Sequence, residues 1–290
     1  MLDFIVNPTA GGKHGKKTEN AVNTIKSFLE EKGVAFRLHF TNAKGDGKTL
    51  TEELISNGAT DVIAVGGDGT LHEVINGFSN FDKVNLGLIP CGTGNDFAFA
   101  LSLPTDVKQA LEIIISGKTE YVDFMQMPSI RGLNVIGTGI DVDVLNRYNR
   151  LKKKNKFGYT RCLISALCHY KCPTFTMSLN GKTLTQTSFI MAVANGSCFG
   201  GGIPMCPVAT PTDNALNFVS VKGMRKLKII GAFLKLKGGK VLTLKETFHE
   251  KLKEIKIDLP EGTVINVDGE LYSDIPFEIK IVSNTLKFYK

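Results

Sequence analysis

The chain has 290 residues, 42% hydrophobic and 22% charged, with a formal net charge of +7 at neutral pH. That composition suits a folded protein with room for two cores and excludes a disordered chain. No apolar run approaches the roughly 18 residues of a membrane span, "MLDFIVNP" lacks the marks of a signal peptide, and six scattered cysteines point to a reduced, cytoplasmic setting.

DFIVN (3–7) reads as a strand, followed by a helix over 16–32. VAFRLHF (34–40) is a second strand, with a helix near 47–57. DVIAV (61–65) and NLGLI (85–89) are short apolar strands, each followed by glycines and then a helical pattern. Leu71, Val74, Ile75 and Phe78 fall at i, i+3, i+4 and i+7, one face of a helix. Short apolar strands alternating with helices predict a parallel sheet covered on both faces.

From residue 130 the pattern changes. Residues 174–195 alternate around Asn180-Gly181, a hairpin signal. LNFVSVK, EIKIDL, TVINVDGELY and FEIKIV follow as strands, interrupted by helical stretches at 157–170 and 224–237. The expectation is two domains, 1–128 and a β-rich 129–283.

The basic charge is uneven. Residues 147–156 carry six basic side chains and no acidic one, and residues 222–240 carry seven and none. These are solvated faces or surfaces drawn to something anionic. On 224–237, Met224, Leu227, Ile230 and Leu234 share one helical face, with Arg225, Lys226, Lys228 and Lys235 on others. Such a helix either packs its apolar face on the β-domain or adsorbs to anionic lipid.

Three glycine-rich turns follow strands. In NPTAGGKHGKK (7–17), Gly11, Gly12 and Gly15 permit close backbone approach, and the helix start favours an anion. It is not a Walker loop: Ala10 and Lys17 stand where glycine and Ser/Thr are required. VGGDGTLHEV and IPCGTGNDFAFAL approach the dinucleotide fingerprint but carry His72 and Phe97 at its third glycine. Asp68 and Asp96 therefore occupy matching strand–glycine–Asp–helix corners on consecutive strands. Each alone reads as a turn or cap residue. Together they mark a crevice at the carboxyl ends of the strands. A carboxylate beside a polyphosphate repels it unless a cation intervenes or the carboxylate binds a hydroxyl; magnesium on a nucleotide, reached through waters, satisfies both groups.

NPTAG, GGDGTLHEVINGF, PCGTGNDFA, Asp123 in VDFMQM, the ANG…GGG segment (194–202) and VDGE (267–270) occur in that order. This set resembles the diacylglycerol kinase catalytic-domain family of soluble bacterial lipid kinases, over essentially the whole chain. The resemblance implies an N-terminal three-layer α/β nucleotide-binding domain, similar to NAD kinase and phosphofructokinase, and a C-terminal β-sandwich completing the cleft. It also implies that residues 284–290 return to the first domain. ATP contacts would be Asn7, Pro8, Thr9, Ala10, Gly11, Thr41, Gly66, Gly67, Asp68, Gly69, Thr70, Leu71, His72, Thr93 and Asn95. Asp68, Asp96 and Asp123 would arrange ATP-bound magnesium through water, and Glu270 would be the catalytic base, with Asp68 beside it in the reaction. Without the resemblance, Asp268-Gly269 is simply a hairpin turn. Asp213 matches the family's second, structural magnesium site. Here Thr212, Asn214 and Asn217 stand where that segment usually has Asp, Gly and Asp, which puts the site in doubt.

The implied reaction is transfer of the ATP γ-phosphate to a lipid hydroxyl such as that of diacylglycerol, at an anionic membrane surface, by a cytoplasmic protein that visits the membrane transiently. No nucleic-acid partner is expected, and a homodimer stays open. The alternatives are an NAD kinase-type phosphotransferase, which shares the GGDG corner, and a non-catalytic nucleotide- or membrane-binding regulator. Cys168, His169 and Cys172 lack the second ligand pair of a zinc site and read as a helix end. No GxSxG elbow supports a hydrolase.

Overall fold

The computed structural model describes residues 1–11, 15–151, 156–179 and 182–290. The chain forms two compact units: Met1–Phe124 with Thr210–Asp213 and Val282–Lys290, and Met125–Ala209 with Asn214–Ile281.

The first unit is built on β1 (Leu2–Val6), α1 (Lys16–Glu31), β2 (Phe36–Phe40), α2 (Asp46–Ser56), β3 (Asp61–Gly66), α3 (Asp68–Asn76), β4 (Asn85–Pro90), α4 (Asp96–Ala100) and α5 (Val107–Ile115), then β5 (Thr119–Gln126). β1 pairs parallel with β2 and with β3, and β3 pairs parallel with β4. Every residue of β1 is buried, as a strand covered on both faces requires. α1 turns Ala21, Val22, Ile25, Phe28 and Leu29 inward at helical spacing, and they pack with Ala110, Leu111 and Ile114 of α5 on one sheet face. α2 and α3 pack together against β1 and β3. The result is three layers.

The second unit holds β6 (Arg131–Gly132), β7 (Val135–Gly139), α6 (Ile140–Asn149), α7 (Lys156–His169), β8 (Thr174–Leu179), β9 (Lys182–Ala194), β10 (Leu216–Lys222), α8 (Lys226–Lys237), β11 (Thr247–Leu252), β12 (Glu254–Asp258), β13 (Val264–Val267) and β14 (Glu270–Ser273). β15 (Phe277–Tyr289) begins in this unit, antiparallel to β12. Its last residues belong to the first unit, where Lys287 and Phe288 pair parallel with Asn85 and Leu86.

β9 links two ladders. Its first half pairs with β8, and its second half lies between β7 and β10. Along that second half, alternation serves two cores. Met191 and Val193 join Phe175, Met177, Phe218, Ile257 and Phe277 in the core of the β-sandwich. Ile190, Ala192 and Ala194 face the other way, into a cluster with Val144 of α6 and Cys162 and Ala166 of α7.

The sequence reading assigns no element to residues 140–149, which are helical; β7 runs into α6 through Gly139 at φ 131°. On α8 Ile229 is buried, Ala232, Phe233 and Leu236 line a cavity, and Leu236 packs on the cluster around Val144, while Leu234 is 65% exposed. Met224 packs against the same cluster. The side chains of Lys226, Leu227 and Ile230 lie outside the described residues, as does the Asn180-Gly181 turn. Among the described residues no helix is long and apolar enough to cross a membrane.

Candidate active site

The glycine turns lie at the carboxyl ends of β1, β3 and β4, side by side because those strands are parallel neighbours. Their glycines serve first to bring backbone against backbone. A Cβ on Gly92 would lie 2.4 Å from Gly67 Cα, and one on Gly11 would lie 2.5 Å from the Cys91 carbonyl. Gly66 has Thr70 Oγ1 in the place of a Cβ, at 2.3 Å. No side chain fits at these points, so the three turns close into one rim. Gly67 has an ordinary extended backbone, so close approach, and not a positive φ, is what demands glycine there.

Side chains lock the rim. Asn7 donates to Thr70 Oγ1 at 3.1 Å, and its Oδ1 accepts from the N–H and hydroxyl of Thr9 at 3.0 and 2.9 Å. Thr41, buried at the end of β2, donates its N–H to the Val6 carbonyl. Ala10 accepts from Thr18 Oγ1 at 3.1 Å. Pro8, Thr9 and Thr93 are exposed, and Gly69 is half-buried. Leu71 and His72 have buried side chains, and the Leu71 N–H donates to the Gly67 carbonyl. Residues 12–14 of the first turn lie outside the described residues.

Asp68 and Asp96 each open a helix. The Phe97 N–H donates to Asp68 Oδ1 at 3.3 Å, so the two carboxylate corners are joined. Asn95, in the left-handed region at φ 55°, donates to the Gly92 carbonyl at 3.1 Å, while its buried Oδ1 has no hydrogen-bond partner among the described residues. Asp123 is buried in β5, and its N–H donates to the Pro211 carbonyl at 2.8 Å. That bond brings the strand of Asp123 against the segment that carries Asp213.

The sequence reading missed Lys17 as a candidate. Its Nζ donates to the Gly92 carbonyl at 3.3 Å, placing an exposed cation over the β4 turn. A lysine in the first turn of the helix after a glycine loop is the signal that marks it.

In the second unit, Glu270 opens β14 opposite Val267. Asp268 and Gly269 take φ 53° and 97°, the two positive values of the tight hairpin turn that VDGE suggests. The Asp268 carboxylate brackets this turn, accepting the N–H groups of Leu133, Asn134 and Val135 at 2.7, 2.8 and 3.0 Å. Asn266 Oδ1 accepts the Gly269 N–H at 2.8 Å, and its amide donates to Asp141 Oδ2 at 3.0 Å. Asp268, Asn266 and Asp141 therefore hold the turn before Glu270. Apart from the Asn266–Gly269 bond, nothing local in the sequence marks this, because the other partners lie more than a hundred residues apart.

Among the described residues no three His, Cys, Asp or Glu side chains converge as a metal cage. The oxygen donors of Asp68, Asp96 and Asp123 suit a hard cation that arrives on a nucleotide and is reached through water. Beside Asp213, the Lys253 ammonium donates to the Asn214 carbonyl, so a positive charge already occupies an acceptor of that segment. His169 ends α7, as a helix end requires, and the Cys168 side chain lies outside the described residues.

Residues 2–127 match the diacylglycerol kinase catalytic domain, and residues 134–290 match the YegS C-terminal NAD kinase beta sandwich-like domain. The chain belongs to the YegS C-terminal NAD kinase beta sandwich-like domain family, with a diacylglycerol kinase catalytic domain at residues 2–127. A relative named diacylglycerol kinase, from Mycobacterium tuberculosis, is 27% identical over 98% of this chain and 93% of its own length. A solved structure titled as a diacylglycerol kinase, from Bacillus anthracis, superposes with a TM-score of 0.71 at 22% identity, covering 99% of this chain and 96% of that one. An Archaeoglobus fulgidus NAD kinase, solved in complex with ATP, shares the fold with a TM-score of 0.57 at 15% identity over 100% and 94% of the two chains. With these two domains the chain has the expected fold class: a three-layer α/β unit followed by a β-sandwich.

Proposed function

We propose that the protein is a lipid kinase that transfers the γ-phosphoryl group of ATP to the hydroxyl of a lipid of the diacylglycerol class. The observation that carries this reading is the joined rim of three glycine turns with Asp68 and Asp96 on it, in a chain that matches a kinase family along its length. Phosphoryl transfer needs positioning and charge neutralisation more than covalent chemistry. In this reading the turns at Asn7–Gly11, Gly66–His72 and Thr93–Asn95 contact the nucleotide, and Lys17 offsets negative charge beside the β4 turn. Asp68, Asp96 and Asp123 reach a nucleotide-bound magnesium ion through water; bound there, magnesium neutralises phosphate charge. Glu270 accepts the proton of the acceptor hydroxyl, a role worth roughly 10²–10⁴ in rate. Asp213 holds no second magnesium ion.

A lipid acceptor stays in a bilayer, so the kinase meets it at a surface. Supporting this, α8 exposes Leu234, Lys235 and Lys237, and α7 exposes Ile164. Apolar insertion plus basic charge is the chemistry of adsorption to anionic lipid, at about 1 kcal/mol per Lys or Arg near the surface.

The test is phosphate incorporation from ATP into diacylglycerol carried in vesicles, with NAD as a parallel acceptor. The expected result is phosphorylated lipid, with vesicle binding that rises with anionic lipid content and falls with salt. Phosphorylation of NAD with no activity on any vesicle-borne lipid would replace this reading by the NAD kinase one.

A further inference from the structure

The turn that follows β2 is built unlike the three on the rim. Residues 41–47, TNAKGDG, lead from the end of β2 into α2. Their backbone N–H groups are spent inside the protein. That of Thr41 donates to the Val6 carbonyl at 2.9 Å. Those of Asn42 and Ala43 donate to Asp46 Oδ2 at 2.7 and 2.9 Å, and that of Asp46 to the Ala43 carbonyl at 3.4 Å. Those of Gly45 and Gly47 reach across to Glu73 of α3, at 2.9 Å to Oε1 and 3.0 Å to Oε2.

Gly45 at the N-cap of α2 offers no capping side chain. Glu73 supplies the cap from the neighbouring helix, where a carboxylate satisfies orphan N–H groups and complements the helix dipole. The space at Gly47 is shaped for it: a Cβ there would lie 2.8 Å from Glu73 Oε2. One turn further along α3, a Cβ on Gly77 would lie 2.4 Å from the Lys48 carbonyl, so the two helices are locked at this end. Three residues before Glu73, Thr70 accepts from Asn7 on the rim. Glu73 thus ties the turn after β2 to the glycine turns.

A loop that cradles phosphate leaves backbone N–H groups pointing at the ligand. The 41–47 turn has turned its own inward. It also holds two carboxylates, Asp46 and Glu73, against one cation, Lys44. A triphosphate would meet net negative charge there. The strand order β4-β3-β1-β2 places this turn at one end of the row and the Asp68 and Asp96 corners toward the other.

We propose that the 41–47 turn takes the uncharged nucleoside of ATP, that the triphosphate runs from the β1 turn toward Asp68 and Asp96, and that Glu73 is the positioning residue that holds the turn in shape. The proposal rests on ATP as the nucleotide of the reading above and gives it a direction across the strands.

Calorimetric titration with magnesium–ATP, with adenosine and inorganic triphosphate as competitors, tests it. Glu73→Ala should weaken ATP and adenosine about tenfold each, the scale of one lost hydrogen bond to a charged group, and leave triphosphate unchanged. In turnover the same variant should raise the KM for ATP about tenfold, with kcat and the KM for lipid within about twofold of wild type. Glu73→Gln keeps one accepting oxygen and should fall between; it carries the same comparison if Glu73→Ala does not fold. Leu54→Ala loosens the buried face of α2 away from the turn, and should lower the melting temperature without moving adenosine binding. Equal losses of adenosine and triphosphate in a Glu73 variant, or unaltered adenosine binding by a folded one, would overturn the proposal. So would a loss of adenosine binding in Leu54→Ala as large as that in Glu73→Ala, since any loosening of α2 would then suffice. Nucleotide binding that follows Glu73 as expected, with no lipid phosphorylated, would retain the proposal and overturn only the lipid-kinase reading.

Discussion

Gly67 and Gly92 stand with their α-carbons face to face: a methyl group on Gly92 would lie 2.4 Å from Gly67 Cα. Two turns that each look built to cradle a ligand are first built to touch each other. The Cys91 and Gly92 N–H groups both reach the Gly66 carbonyl, at 2.7 and 3.2 Å, which fixes the contact. Gly92→Ala should therefore cost about 1–3 kcal/mol, the usual cost of overpacking. It should also weaken ATP binding, because the rim opens. Thermal unfolding and nucleotide titration check both effects; a variant of wild-type stability would show that the turns yield freely.

Asp68 does two jobs in the proposed reading, and two substitutions separate them. Asp68→Asn keeps an oxygen for the Phe97 N–H and removes the charge. It should lower kcat by about 10²-fold or more while the melting temperature stays within about 3 °C. Asp68→Ala should show the same loss of activity plus about 1 kcal/mol of destabilisation from the missing hydrogen bond. Near-normal turnover by a folded Asp68→Asn protein would remove Asp68 from the machinery.

For Glu270 the contrast is between chemistry and turn. Glu270→Gln should reduce kcat by about 10²-fold or more with little change in ATP affinity. Asp268→Ala, which strips the bracket from the Leu133, Asn134 and Val135 N–H groups, should instead lower stability by about 2 kcal/mol. If Glu270→Gln loses stability and keeps kcat, Glu270 is a turn residue only.

Acid sensitivity should follow Asp3. It is buried, which alone would raise its pKa, but the Arg37 guanidinium holds both carboxylate oxygens at 2.7 and 2.9 Å and His39 adds a contact at 2.9 Å, so the net shift is downward. A depressed pKa contributes stability above the unfolded value of about 4 and loses it as pH falls through the folded value. Arg37 is half-exposed, which reduces the expected loss. Arg37→Met should cost about 1–2 kcal/mol at pH 7, and the gap to wild type should narrow below about pH 4 as Asp3 protonates. Urea unfolding across that range measures it; a gap independent of pH would mean that the guanidinium contributes packing only.

Local pattern alone determined a good deal of this protein. The periodicity of Leu71, Val74, Ile75 and Phe78, the short apolar strands at β1, β3 and β4, and the VDGE turn are all legible because strand and helix periods and turn chemistry are set by near neighbours. The ordered motifs placed the chain in its family for the same reason: each is a contiguous run. Residues 140–149 take no element from that reading, since their helix is fixed by the packing of Ile140 and Val144 against α7 and β9 and not by a clear local period. What only tertiary structure decided is which groups meet across long separations. Gly67 opposes Gly92, Asp268 captures three N–H groups over a hundred residues away, and Asp141 turns into an apolar cavity while held by Asn266. Such contacts depend on how sheets pair and helices pack. That pairing is settled by the burial of many distant side chains at once, so no single stretch of sequence encodes it.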